Sequence, residues 1–146
     1  MNKIPLPKIE IVVDKSPLLA RYIYQRLNLE LDDNQVLFSL GFIYQKKLIG
    51  GLVWTDFRKN HDVWWTIDTW DKNWCTKKVL NTLFYLAKEV FHLKHINAMT
   101  KTKNQKAIHF LTRLGFEKTG HLNEFYLDDN DAYLFQKSLQ KSTGFL

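Results

Sequence analysis

The sequence predicts a single α/β domain in which helices cover both faces of a mixed, mostly antiparallel sheet. Its 146 residues, 45% of them hydrophobic, suit one core and leave little room for a second. Strand-like and helix-like segments follow in the order β, α, three β, α, β, α, two β, with no repeat or linker. That order is typical of helices packed on a mixed sheet. We therefore expect residues 1–146 to form one domain.

The N-terminal half predicts a helix followed by a three-stranded meander. After a first strand, KIEIVV, Ser16 and Pro17 supply an N-cap and a first-turn proline for a helix over LLARYIYQRLNLEL. The segments VLFSLGFIYQ and LIGGLVWTDF, with a tight turn at KK, predict an antiparallel hairpin, and RKNHD then leads into a third strand, VWWTIDTW. We expect Trp54 to cluster with the Trp64 and Trp65 pair, whose side chains point to opposite faces.

The C-terminal half predicts two more helices around a short strand. One helix runs from about Thr76 to Phe91, and the strand HINAMT follows it. Asn104 is a plausible N-cap for a helix over QKAIHFLTRL, which Gly115 ends in a left-handed conformation. The final segment, FEKTGHLNEFYLDDNDAYLFQKSL, predicts two strands joined around DDND.

Composition narrows the classes of function. No apolar run reaches bilayer length and the N-terminus lacks signal-peptide features, so we expect a cytoplasmic protein with no membrane partner. The single cysteine, Cys75, excludes an internal disulfide and a Cys-rich metal cluster, and no metal is expected. A net charge of +6 and a pI near 9.4 favour anionic partners. Lysines flank two predicted helix starts, which favours a compact phosphorylated ligand; nucleic acid is possible but not favoured.

The most specific signal is the stretch NQKAIHFLTRLGFEKTG, Asn104 to Gly120. It resembles the last helix and following strand of the GCN5-related N-acetyltransferase (GNAT) superfamily, and the element order agrees with that family over almost the whole chain. Within the superfamily the chain looks most like the ribosomal-protein alanine N-acetyltransferase group. The resemblance implies acetyl-CoA as co-substrate and places Asn104 beside the ligand. A tyrosine acid before the LGF closure is ruled out, because Leu111 stands there.

The segment TWDKNWCTKKVL departs from the family pattern. The family's glycine-containing loop at this place presents backbone N–H groups to the coenzyme A pyrophosphate; here Trp74 and Thr76 take the glycine positions. One interpretation keeps a phosphate site formed by Trp74, Cys75, Thr76, Lys77 and Lys78, with the Trp74 indole turned outward or packed on the ligand. The other closes the site and leaves a non-catalytic GNAT-fold module that binds a protein or nucleic acid.

The resemblance implies direct attack of a primary amine on the thioester in a ternary complex, with a base for the amine and a donor for the thiolate. Candidate bases at the start of and along the fourth strand are His61, Asp62 and Asp68; of these we select His61 and Asp68, with Tyr133 as a candidate donor. Each has a plainer alternative: a solvated turn histidine, a turn cap and a core tyrosine. Tyr126 has the same two possibilities as Tyr133. The acceptor is expected to be a protein N-terminus, a lysine or a small amine, with a protein slightly favoured.

Overall fold

The computed structural model describes residues 8–139, and these form seven strands and three α-helices. The strands are β1 (Glu10–Asp14), β2 (Val36–Tyr44), β3 (Lys47–Arg58), β4 (Asp62–Thr69), β5 (His95–Lys101), β6 (Glu117–Leu122) and β7 (Ala132–Ser138). The helices are α1 (Leu18–Arg26), α2 (Lys77–Tyr85) and α3 (Gln105–Arg113). The ends of the predicted domain, residues 1–7 and 140–146, lie outside the described residues. Within residues 8–139, no helix combines the length and hydropathy needed to cross a bilayer.

All seven strands form one sheet in the order β1-β2-β3-β4-β5-β7-β6. Neighbouring strands are antiparallel except β4 and β5, which run parallel. The predicted fold class, an α/β fold with a mixed and mostly antiparallel sheet, is thereby confirmed. The parallel pair lies in the middle of the sheet, where two antiparallel blocks meet.

Helices pack on both faces because side chains alternate along the strands. On one face of β3, Val53 packs against Ile23 of α1. On the other face, Leu52 and Trp54 belong to the main core together with Leu83 of α2. Residues of α3 also contribute to this main core. Thus α1 lies on the opposite side of the sheet from α2.

The tryptophan cluster is confirmed at the centre of the main core. Trp54 is fully buried, and its ring lies 5.2 Å from that of Trp65 and 5.0 Å from that of Phe38. Trp64 alternates to the other face and is half-buried. Aromatic pairs at such separations add to the free energy gained by area burial alone.

The first helix is shorter than predicted and has a second capping side chain. It ends at Arg26, not near Leu31, because Asn28 takes a left-handed conformation with φ of 58°. The Ser16 hydroxyl accepts the N–H of Leu18 at 3.3 Å, as expected of a cap, and Asp14 Oδ2 also accepts the N–H of Leu19 at 2.9 Å. A carboxylate at a helix start is favoured by the helix dipole.

Three further boundaries differ from the prediction. The α-helical part of α2 ends at Tyr85, and a π-helical turn over Leu86–Val90 covers most of the remaining predicted length. The β2–β3 turn is centred on Gln45 and Lys46, whose positive φ values of 50° and 65° are typical of tight hairpins. The last two strands are joined by a longer connection, residues 123–131, so that Tyr126 lies in a loop and not in a strand.

A polar network closes the start of the parallel pair. Arg58 donates two hydrogen bonds, of 2.7 and 2.8 Å, to the buried carboxylate of Asp62. Asn97 Nδ2 donates to the same carboxylate at 3.1 Å, and Gln136 Nε2 donates to Asn97 Oδ1 at 2.9 Å. The network therefore ties β3, β4, β5 and β7 together at one end.

Candidate active site

The parallel strands β4 and β5 separate at their C-terminal ends. Their pairing runs from Asp62 with His95 to Trp65 with Ala98 and stops there, although β4 continues to Thr69 and β5 to Lys101. Backbone groups beyond Trp65 and Ala98 on the facing edges are therefore not used by the sheet. Unpaired strand edges facing a gap are available to a ligand.

A cavity of about 160 Å³ occupies this gap. The diverging strands contribute Thr66, Ile67, Met99 and Thr100 to its walls. The side of α2 and α3 contributes mainly apolar residues, among them Trp74, Leu80, Leu83, Ala107, Phe110 and Leu111. The side of α1 and the β6–β7 connection contributes Arg26, Leu27, Leu29 and Tyr126. Since α1 and α2 lie on opposite faces of the sheet, the cavity passes between the strands from one face toward the other.

The start of α2 borders this cavity through Trp74 and Leu80, whereas Cys75, Thr76, Lys77 and Lys78 lie outside the cavity lining. Thr76 is the N-cap, and its hydroxyl accepts the N–H of Val79 at 3.2 Å. The N–H groups of Lys77 and Lys78 in the first turn have no acceptor within the helix. Both lysine side chains and Cys75 are exposed, and partial burial raises the pKa of the Cys75 thiol, against an opposing effect of Arg113. Cys75 is therefore a neutral thiol at neutral pH, which does not favour a nucleophilic role.

Trp74 is turned into the protein interior. Its side chain is 8% exposed, stacks on Phe42 at 5.4 Å between ring centroids and meets Phe110 edge-on at 5.2 Å. An indole turned outward, one of the orientations considered from the sequence, is therefore wrong for the structure described here. The indole lines the cavity from within, and the solvent side of the α2 start is left to Cys75, Thr76 and the two lysines.

Asn104 is the N-cap of α3 and also lines the cavity. Its Oδ1 accepts the N–H of Ala107 at 3.1 Å, so the predicted capping role is confirmed. Among residues 8–139, its Nδ2 group has no hydrogen-bond acceptor in the structure and can donate to a ligand. One side chain thus shapes the helix start and offers a donor to the cavity.

The three candidate catalytic residues are not brought together. His61 lies in the β3–β4 turn, at the end of β4 away from the cavity, with its ring 6.4 Å from that of His95. Tyr133 lies on β7, where its ring contacts His121 at 5.3 Å and does not line the cavity. Asp68 lies at the correct end of β4, but outside the lining, where it accepts a 2.6 Å hydrogen bond from Arg26 Nε.

The turn-cap alternative for Asp68 is also wrong, because Asp71 performs that role. Asp71 Oδ1 accepts the backbone N–H of Asn73 at 2.9 Å and its side-chain amide at 2.7 Å. This local engagement partly offsets the negative charge that Asp71 brings to the α2 start.

Tyr126, considered from the sequence as a donor to the thiolate, lines the cavity together with Arg26 and Lys101, which the sequence did not single out as site residues. Tyr126 is 4% exposed and contributes to the cavity wall. Burial, reinforced by the charge of Asp128, raises the pKa of Tyr126 far above its usual range. Lys101 Nζ lies 5.1 Å from the Tyr126 ring centroid and contacts Asp128 at 2.5 Å. The sequence offered one signal for Lys101, which follows the strand HINAMT next to the predicted helix start, and none for Arg26.

The divergent parallel strands, the apolar cavity between them and the adjacent helix start are the arrangement expected of an acetyltransferase domain. The chain matches the Acetyltransferase (GNAT) domain family over residues 8–133 and belongs to that family. This membership confirms the enzyme class predicted from the sequence, an N-acetyltransferase, and acetyl-CoA is the usual co-substrate of the family. No curated protein sequence matches the chain significantly.

Solved structures share the fold at low sequence identity. NAA60 from Arabidopsis thaliana, in complex with a bisubstrate analogue, has a TM-score of 0.69 and 16% identity over 92% of this chain and 100% of its own. A spermidine/spermine N-acetyltransferase SpeG mutant from Vibrio cholerae has a TM-score of 0.68 and 17% identity, covering 90% and 95%. Ribosomal-protein-S5-alanine acetyltransferase from Vibrio fischeri has a TM-score of 0.60 and 18% identity, covering 83% and 67%. At such low identities, the structural similarity establishes the common fold alone.

Proposed function

We propose that the protein transfers the acetyl group of acetyl-CoA to a primary amine by direct attack in a ternary complex. The observation that carries this proposal is the cavity that passes between β4 and β5, with the α2 start on one face and the end of α1 on the other. Two substrates can enter such a gap from opposite faces and meet between the strands. We further propose that residues 1–146 act as one acyltransferase domain.

The α2 start can hold the coenzyme pyrophosphate without glycine. The first-turn N–H groups and the positive end of the helix dipole attract an anion, and exposed Lys77 and Lys78 add charge beside them. Because the Trp74 indole is buried, its bulk does not cover the solvent side of the helix start. The free Nδ2 group of Asn104 can donate to a carbonyl of the pantetheine arm, and the apolar walls on α2 and α3 suit its methylene groups.

In the reaction, the neutral amine attacks the thioester carbon, the C–S bond breaks, and the nitrogen proton passes through water to the departing thiolate. Tyr126 is well placed to hydrogen-bond the thiolate or the carbonyl oxygen. Its raised pKa lies far above that of a thiol, about 8.5, so the hydroxyl acts as a hydrogen-bond donor in preference to a full proton donor. Asp68, which pairs with Arg26, is the carboxylate that we assign to the side of the gap where the acceptor amine enters. His61 and Tyr133 lie away from the gap and receive no part in this mechanism.

The acceptor is proposed to be carried by a protein. The resemblance of the chain to the ribosomal-protein alanine N-acetyltransferase group, noted from the sequence, supports a protein acceptor over a small amine. A lysine side chain remains the second possibility within the same class.

Calorimetric titration with acetyl-CoA tests the proposal directly. We expect micromolar binding, weakened at least about tenfold in Lys77→Glu/Lys78→Glu, because two attractive charges become repulsive. The matched control is Lys59→Glu/Lys94→Glu, which makes the same charge change at the other end of β4 and β5. No heat and no thermal stabilisation at millimolar acetyl-CoA would refute the transferase and leave a binding module on this fold.

A further inference from the structure

We infer that the acceptor carries its amine next to an apolar group and that polyamines are excluded. This inference rests on the proposed function and specifies the substrate class of the same cavity. We call the part of the cavity wall formed by the end of α1 and the β6–β7 connection, together with the adjacent ends of β4 and β5, the acceptor side. The inference follows from two of its properties: the sign of the charges in the wall and the apolar surface between those charges.

The charged residues in the described cavity wall are both cations. They are Arg26 and Lys101, and no aspartate or glutamate of residues 8–139 is part of the wall. The remaining segments, MNKIPLP and QKSTGFL, contain neither residue type. Each cation is paired with a carboxylate that is not part of the wall, Arg26 with Asp68 at 2.6 Å and Lys101 with Asp128 at 2.5 Å. The wall is thus neutral to positive and offers an incoming ammonium group no free carboxylate.

Both ion pairs are held in place by further contacts. The Arg26 guanidinium lies 4.3 Å from the Trp70 ring centroid, and Trp70 Nε1 donates to the Leu48 carbonyl at 2.9 Å. Asp128 accepts additional hydrogen bonds from Asn28 Nδ2 at 3.2 Å and from the Asn130 N–H at 3.3 Å. These partners disfavour a rearrangement that would release either carboxylate toward a polyamine.

The rest of the acceptor side is apolar. Leu27 and Leu29 follow α1, Ile67 lies on β4, and Tyr126 closes the wall from the β6–β7 connection. The two loops are joined by the Leu127 N–H, which donates to the Asn28 carbonyl at 2.9 Å. An apolar group beside the amine would gain affinity there, about fourfold for each methylene buried.

The rim continues this apolar surface outward. Leu127 is 65% exposed and Phe125 is 40% exposed, both on the connection that borders the opening. An extended peptide leaving the cavity would meet these side chains, whereas a polyamine would gain nothing from them. The same connection carries the exposed carboxylates Glu124 and Asp129, so the apolar side chains of the rim, and not its charge, favour a peptide acceptor.

The test compares kcat/KM for three acceptors at saturating acetyl-CoA: a peptide that begins with leucine, the same peptide beginning with aspartate, and spermidine. We expect the leucine peptide to exceed the other two by at least about tenfold. Equal or faster acetylation of spermidine would overturn the inference, and so would acetylation of none of the three. Calorimetric binding of acetyl-CoA, measured in parallel, distinguishes these failures from failure of the proposed function.

A variant pair tests the role of the charges. Arg26→Gln frees the Asp68 carboxylate, and we expect the ratio of spermidine to leucine-peptide kcat/KM to rise at least about fivefold, the change produced by one charge contact in water. Arg26→Lys keeps a cation there and should leave that ratio near its original value. Thermal unfolding confirms that both variants are folded. An unchanged ratio in folded Arg26→Gln would overturn the electrostatic part of the inference.

Discussion

Trp74 provides the sharpest single test of the site, because the sequence resemblance aligns it with a glycine of the family pattern and the structure buries its side chain. If its indole is part of the core, as the structure shows, Trp74→Ala must destabilise the whole domain. If instead the indole packed on a ligand or faced solvent, the unliganded protein would hardly be affected. The free energy of unfolding without acetyl-CoA therefore separates the two roles.

The expected magnitude follows from the burial of the indole. The Trp74 side chain is 8% exposed and contacts two other aromatic rings. A buried tryptophan removes roughly 150–250 Å² from water, which at about 25 cal/mol per Å² gives an upper bound of about 4–6 kcal/mol. Measured costs of Phe or Trp to Ala changes in cores are about 3–5 kcal/mol. We expect Trp74→Ala to cost about 3–5 kcal/mol, a large part of the stability of a small domain.

Urea denaturation followed by far-ultraviolet circular dichroism measures this cost without using tryptophan fluorescence. Trp70→Ala is the matched control: it is 37% exposed and loses one hydrogen bond and one cation–π contact, for about 1–2 kcal/mol. Trp74→Phe keeps an aromatic ring and remains measurable if the alanine variant does not fold. The reasoning is refuted if Trp74→Ala costs no more than Trp70→Ala.

Four further changes have definite expected outcomes. The hydrogen-bonded ion pair with Arg58 holds the pKa of Asp62 below its usual range. The ionised carboxylate therefore stabilises the folded protein above the unfolded pKa of about 3.9, and this stabilisation is lost as pH falls through the lower folded pKa. In Asp62→Asn, the decrease in unfolding free energy from pH 7 to pH 3 should be smaller than in the unmodified protein. Gly115 has φ of 92°, and Gly115→Ala should cost about 1–2 kcal/mol in urea denaturation. A Cβ at Gly50 would lie 2.8 Å from a β4 carbonyl oxygen, and Gly50→Ala should cost about 1–3 kcal/mol in the same assay. Tyr126→Phe should lower kcat by about tenfold with an unchanged Kd for acetyl-CoA, because a single hydrogen bond to the reacting group is lost.

The sequence predicted those parts of the fold that depend on local pattern. Strand alternation placed the meander, and the cap and stop signals of Asn104 and Gly115 placed α3 within a residue. The end of α1 was missed because Leu27 and Leu31 continue the helical spacing while Asn28 breaks the helix. The spacing of apolar residues indicates which side chains are buried and does not show where the helix ends. Leu27 and Leu31 follow α1 and still pack against its hydrophobic cluster.

The site was predictable only where it depends on a segment contiguous in sequence. Trp74 and Asn104 were singled out because each lies where a strand leads into a helix, and both line the cavity, whereas Cys75, Thr76, Lys77 and Lys78 lie outside its lining. Tyr126 and Arg26 reach the cavity through a loop and through the packing of α1 against the sheet, and neither is encoded by spacing. His61 was selected because histidine is a common general base and because it precedes a strand, but it lies at the end of β4 away from the cavity.

The short parallel pairing of β4 and β5 has a mechanical consequence. Within the described chain, β1 to β4 form one antiparallel block and β5 to β7 another, joined by the pairs from Asp62–His95 to Trp65–Ala98. The β4–β5 pairing has fewer paired residues than any other pairing in the sheet, and the candidate site lies where this pairing stops. A substrate that hydrogen-bonds to the facing edges of both β4 and β5 would hold the two blocks together. Ligand binding should therefore slow amide hydrogen exchange along both strands at once, including at residues that do not contact the ligand.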